Sequence, residues 1–129
     1  LRSCLFFAGA NQGATQPGSA NGVMTALETA GLNLWGTKLV VLSACDSGLG
    51  EVKTGDGVYG LRRALVLAGS ETQLMSLWSV SDVATRELMV EYYTRLNAGE
   101  GRSEALRQVQ LRMLKNPNRR HPYYWSAFI

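Results

Sequence analysis

The sequence predicts an α/β fold, a mostly parallel sheet flanked by helices, on three observations. Short apolar, β-branched runs recur along the chain, stretches with apolar residues at helical spacing separate them, and glycines or an Asn-Pro-Asn stop close most of the helical stretches. Right-handed crossovers turn such a strand and helix alternation into a parallel sheet covered by helices. With 129 residues and 46% apolar composition, the chain is long enough for one domain with a real core.

The first strand is expected at Cys4 to Ala8, directly at the start, as in a piece cut from something longer. Gly9 to Gly22 is rich in Asn, Gln, Ser, Thr and glycine and reads as a mobile loop. Val23, Met24, Leu27 and Ala30 recur at helical spacing, so a helix is expected over Gly22 to Ala30, stopped by Gly31. Leu39 to Ala44 is the second strand. Val58, Leu61, Leu65 and Ala68 mark one face of a helix ending at Gly69, and Gln73 to Ser79 is the third strand. Two helices follow, Val83 to Asn97 and Ser103 to Lys115, and the tail Tyr123 to Ile129 reads as a last strand. Cys4, Trp78 and Trp125 are assigned to the core.

Thirteen Lys and Arg against ten Asp and Glu leave a net charge of +3, and the basic residues are scattered rather than gathered into an aromatic-interleaved stripe. Nucleic acid is therefore not an expected partner. No apolar stretch is long enough to span a bilayer and no signal-peptide order opens the chain, so no membrane partner is expected and the cytoplasm is the expected location. Cys4 begins a strand and Cys45 ends one. If the two strands run parallel, a strand length of roughly 17 Å separates the sulfurs and forbids a disulfide.

The most informative residue is Cys45. It closes the apolar run Lys38-Leu39-Val40-Val41-Leu42-Ser43-Ala44 and is followed by Asp46-Ser47-Gly48-Leu49-Gly50. A thiol between a rigid strand and a permissive loop sits where α/β proteins hold their chemistry, at the rim of the sheet. A thiol attacks as its thiolate and needs a base that can later protonate the leaving group. The chain's one histidine, His121, lies in Arg119-Arg120-His121-Pro122-Tyr123, and its simpler role is as an amphipathic residue packing ahead of the last strand.

A second pattern competes. Gly55-Asp56-Gly57-Val58-Tyr59-Gly60 matches G-x-G-x-x-G, opens a helix, and has Asp82 beyond the next strand, which alone would suggest a dinucleotide cofactor. In a dinucleotide-binding unit, however, the first glycine follows the strand directly, and here Cys45 to Thr54 intervene. The glycines fit better as the means by which a long loop returns to its helix. No cofactor and no metal site are otherwise suggested.

Four blocks in order carry a family resemblance: Leu42-Ser43-Ala44-Cys45-Asp46-Ser47-Gly48-Leu49-Gly50, Gly55-Asp56-Gly57-Val58-Tyr59-Gly60-Leu61, Ser76-Leu77-Trp78-Ser79-Val80-Ser81-Asp82, and His121-Pro122-Tyr123-Tyr124-Trp125. Together they resemble the carboxy-terminal part of the CHAT domain, a family of caspase-like cysteine peptidases related to separases, metacaspases and gingipains. The resemblance implies a caspase-like three-layer sandwich, incomplete on its amino-terminal side, and one domain portion over residues 1–129. It implies that Cys45 is the nucleophile of an endopeptidase and that its backbone N–H forms half of an oxyanion hole. The family's catalytic histidine, with the glycine supplying the other half, precedes the position of Leu1, so the isolated chain is expected to be inactive. The His-Pro-aromatic block is a packing feature of the family, in line with the simpler role of His121.

Departures from the family pattern are mild: Asp46 and Ser47 stand where Glu and Thr are common, Ser81 where Asp is frequent, and Asn21 replaces a frequent acid. Asp46, Gly48 and Gly50 are read as turn formers. Asp82 is read first as a cap for the helix from Val83, and second as a carboxylate that binds a basic substrate side chain, as in relatives that cleave after basic residues. The implied partners are a protein or peptide substrate, the upstream half of the domain and helical, TPR-like repeats in the parent protein. The alternative is a degenerate, non-catalytic interaction module, since a fold persists after its chemistry is lost.

Overall fold

The computed structural model describes residues 4–10, 22–43 and 56–129, residues 56–59 by backbone only. Cys45, Asp46, Ser47, Gly48, Gly50, Asn21 and Gly55 lie outside the described residues, as does most of the loop expected over Gly9 to Gly22. The chain divides into two compact units, with Met75 ending the first and Ser76 opening the second.

In the first unit, β1 (Cys4–Phe6) and β2 (Val23–Thr25) pair antiparallel, with Cys4 opposite Thr25 and Phe6 opposite Val23. Phe7 N–H donates to Gly22 O across 2.7 Å and closes the pair beyond its last rung. Only glycine fits at position 22, because φ is +64° and a Cβ would stand 2.7 Å from the Ala10 backbone. The expected helix over Gly22 to Ala30 is thus corrected. Its first part is a strand, and α1 is the short helix Ala26–Ala30. The reason is the Thr25-Ala26-Leu27-Glu28 sequence, a reciprocal capping box. Glu28 N–H donates to Thr25 Oγ1, while Thr25 N–H donates to the Glu28 carboxylate at 2.7 Å. Thr25 therefore stays extended, and the β-branched Val23 before it remains in a strand.

β3 (Val40–Leu42) and β4 (Gln73–Met75) pair parallel, Val41 opposite Leu74 and Leu42 opposite Met75. The crossover between them carries α2 (Asp56–Leu67). Its apolar face delivers Leu61 and Ala64 to a core shared with Ala26 and Met75, against which Leu5, Ala30 and Leu42 pack. Both parallel strands are shorter than expected because the Gln73 to Ser79 run changes partner midway. From Ser76 onward it forms an antiparallel bridge to Phe128, with Leu77 N–H donating to Ala127 O.

The second unit is built on a helical hairpin. α3 (Asp82–Asn97) and α4 (Arg102–Lys115) pack together through Ala84, Leu88 and Tyr92 on one helix and Ala105, Val109 and Met113 on the other, all buried at four-residue intervals. The tail is the second correction. Instead of a strand, Pro122–Tyr124 forms a 3-10 turn, since Pro122 presets the first turn position and Trp125 N–H donates back to its carbonyl. Only Phe128 keeps the sheet-like pairing, and the Gln110 side-chain amide ties the tail to α4 through Trp125 O and Phe128 O.

The architecture is therefore of mixed α/β character with one parallel and one antiparallel two-stranded sheet among the described residues. Trp78 is exposed rather than in the core, and Cys4 and Trp125 are half-buried. Trp125 hydrogen-bonds through its indole N–H to Arg120 O, which keeps one edge of the ring at the surface.

Candidate functional site

On either side of Cys45 in the sequence, the described elements are β3 and α2. β3 ends at Leu42, its neighbour β4 runs parallel and ends level with it at Met75, and Ser43, the last described residue before Cys45, is exposed. Cys45 follows the end of the strand by three positions in the sequence. The carboxyl ends of adjacent parallel strands leave their last carbonyls and loops unpaired by the sheet, which is why such ends collect reactive groups in α/β proteins.

His121 has a structural task. It stands as the cap of the 3-10 turn, its ring exposed, and its Nδ1 accepts the Tyr123 N–H at 3.2 Å. Its Nδ1 is thereby the acceptor that closes the turn. The sequence suggests packing ahead of a strand, whereas the exposed ring caps a 3-10 turn.

Asp82 is not the cap of α3. That place is held by Ser81, whose backbone is extended and whose Oγ faces the Ala84 N–H at 3.5 Å. Asp82 is the first residue of the helix and is exposed, where a carboxylate favours the positive end of the helix dipole. It makes no ion pair among the described residues, so its charge is open to a cationic group. The glycine pattern finds no dinucleotide-binding context. Gly57 and Gly60 lie inside α2, and positions 43–55 separate β3 from that helix.

Four of the seven arginines of the second unit, Arg95, Arg107, Arg112 and Arg119, pair with carboxylates. Arg119 lies over the Tyr124 ring at 5.5 Å and donates twice to Glu87, from Nε and Nη2, both at 2.8 Å. This holds the Glu87 carboxyl below the usual carboxylate range, the Arg119 hydrogen bond being the main cause. Glu91 accepts from Arg95 on its own helix and from Arg112 on α4, and Arg95 also reaches Glu100. Arg107 pairs with Glu104. Sequence reading had only the scatter of these charges. The Glu87–Arg119–Tyr124 clasp joins residues more than thirty positions apart and leaves no local spacing signal. Among the described residues no group of His, Cys, Asp and Glu is arranged to hold a metal ion, and no helix is long and apolar enough to cross a membrane.

Comparison with known proteins gives two findings. The CHAT domain model matches residues 1–129. Two curated relatives are both described as tetratricopeptide repeat protein 28: that of Mus musculus is 32% identical over 106 residues, 82% of this chain, and that of Homo sapiens 33% identical over 107 residues, 83% of this chain. The match spans only 4% of either relative's length. No solved structure gives a significant match.

Proposed function

Because the chain belongs to the CHAT domain family, we propose that the protein carrying it is a cysteine endopeptidase in which Cys45 is the nucleophile. The reading is supported by one observation beside the family: in the sequence Cys45 comes three positions after Leu42, where β3 ends level with its parallel neighbour β4. In this mechanism the Cys45 thiolate attacks the scissile carbonyl carbon, and the Cys45 backbone N–H with a second backbone N–H holds the resulting oxyanion. The amide C–N bond then breaks, the amine leaves with the proton first taken from the thiol by an imidazole, and water hydrolyses the thioester to release the acid. His121 is committed to its turn, so the imidazole comes from the part of the domain that the family places before Leu1. A protein or peptide is the substrate, and the exposed Asp82 is the candidate for binding a basic side chain next to the scissile bond. TPR-like repeats in the parent protein, suggested by the relatives' names, would bring the substrate to this site.

A second reading is favoured by those same names, which describe repeats and no enzymatic activity: the domain has become a non-catalytic interaction module. One variant separates the two. Cys45→Ala in the full-length protein is expected to lower peptide cleavage by at least about a thousandfold. Undiminished cleavage would remove Cys45 from the mechanism, and no cleavage by the unaltered protein with any of a broad peptide set would favour the module.

A further inference from the structure

Residues 76–81, which lead into Asp82, are fixed at both ends within the second unit. At the start Ser76 bridges Phe128, and Leu77 N–H donates to Ala127 O at 2.9 Å. At the end Val80 is buried and Ser81 caps α3, with Thr85 N–H donating to Ser81 O at 2.8 Å. Between these points Leu77, Trp78 and Ser79 are exposed. The course of the segment is therefore set by the tail on one side and by the helix on the other.

The tail is held in turn by a side chain of α4. Ala127 and Phe128 are buried, and Ala127 O takes the Leu77 N–H. The carbonyls on either side of that link, Trp125 O and Phe128 O, are met by the Gln110 amide at 3.2 and 3.0 Å. Only the Nε2 end of the amide donates, and its two N–H groups are both spent on these carbonyls. The two bonds reach across 15 and 18 positions, whereas the Trp125 and Ser126 N–H groups donate within their own turn to Pro122 O. Removing Gln110 takes a donor from two carbonyls in a partly buried place, where an unpaired polar group is costly.

We propose that Gln110 is a positioning residue for substrate selection. Through the tail it fixes residues 76–81, and thereby the place of the Asp82 carboxylate that takes a basic side chain of the substrate. The links run from Gln110 Nε2 to Phe128 O, along the backbone to Ala127 O, and from there to Leu77 N–H. A carboxylate selects a cation only when it is held where the cation arrives, and a misplacement of about 1 Å already costs a large part of the rate. This role rests on the peptidase reading and on Asp82 as the selecting carboxylate, so one part of its test needs no cleavage.

In the full-length protein, Gln110→Glu sets a carboxylate against the two carbonyls, and Gln110→Met removes the donors at similar length. Hydrogen exchange of a proteolytic peptide that includes Leu77, read by mass spectrometry, should be at least about tenfold faster in both variants. Their kcat/KM should fall about tenfold or more for peptides with Arg or Lys at the cleavage position, and stay within about threefold for uncharged peptides. In an Asp82→Asn background the same substitutions should change kcat/KM for the basic peptide by less than about twofold, since the selection they act through is already gone. Unchanged exchange in both variants would overturn the link through the tail. Full additivity with Asp82→Asn, or an equal loss on both kinds of peptide, would overturn the positioning role and leave Gln110 a stabilising residue. Faster exchange in a protein whose unaltered form cleaves no peptide would sink the peptidase reading and the selection role with it, while the tie from Gln110 to residues 76–81 would stand.

Discussion

Cys45, Asp82 and His121 are the three residues that the sequence singles out for chemistry, and the two described ones, Asp82 and His121, have different surroundings. Cys45 follows, in the sequence, a strand that is parallel to its neighbour and level with it at Leu42 and Met75. His121 spends its Nδ1 on the Tyr123 N–H. His121→Ala in the full-length protein should therefore leave cleavage within about threefold of the parent, the small change reflecting a loosened turn. A loss as large as that of Cys45→Ala would make His121 the base. Asp82 is exposed at the positive end of α3 and is open to a cation. If it reads the substrate, Asp82→Asn should lower kcat/KM for peptides with Arg or Lys at the cleavage position about tenfold or more and leave uncharged peptides unchanged. An equal loss on both substrates would show that the variant acts on the helix and not on selection.

At the scale of elements, the second unit depends on charge clasps between helix α3 and the segments after it. Glu87 titrates below its ordinary value of 4.5 because Arg119 donates to it. A carboxyl depressed in the folded state is protonated first in the unfolded one, so its contribution is present above the ordinary carboxylate range and is lost as pH falls through the folded value. Glu87→Gln should therefore lower the melting temperature at pH 7, and the gap from the parent should close toward pH 3. A gap that stays constant with pH would show that the clasp acts through packing alone. Elements were legible in the sequence where periodicity and a stop agreed. The buried positions Leu61 and Leu65, Leu88 and Tyr92, and Val109 and Met113 recur at helical spacing, and α2, α3 and α4 follow from them. Two elements were misread for local reasons. Val23 and Met24 fit the helical spacing of Leu27 and Ala30, but the capping box that starts at Thr25 was the stronger signal. In the tail, the aromatic run Tyr123-Tyr124-Trp125 reads as strand, while Pro122 behind an acceptor side chain starts a turn. The ends of β3 and β4 were not legible because a strand extends only as far as its partner, and the exchange of β3 for Phe128 at Ser76 is a long-range pairing.

The whole molecule is a CHAT domain segment of mixed α/β character, of which four sequence blocks already carried the family. The three-layer sandwich that the family implies goes beyond the two short sheets found here. For the candidate site, the proposed chemistry rests on the family and on one cysteine that follows a β-branched run in the sequence. The account turns on the nucleophile. Treating the full-length protein with a peptidyl electrophile that ends in a basic residue, then mapping the modified site by mass spectrometry, tests it directly. The expected result is modification of Cys45 with Cys4 untouched, and loss of labelling in Cys45→Ala. Labelling at Cys4, or labelling that survives Cys45→Ala, would contradict it.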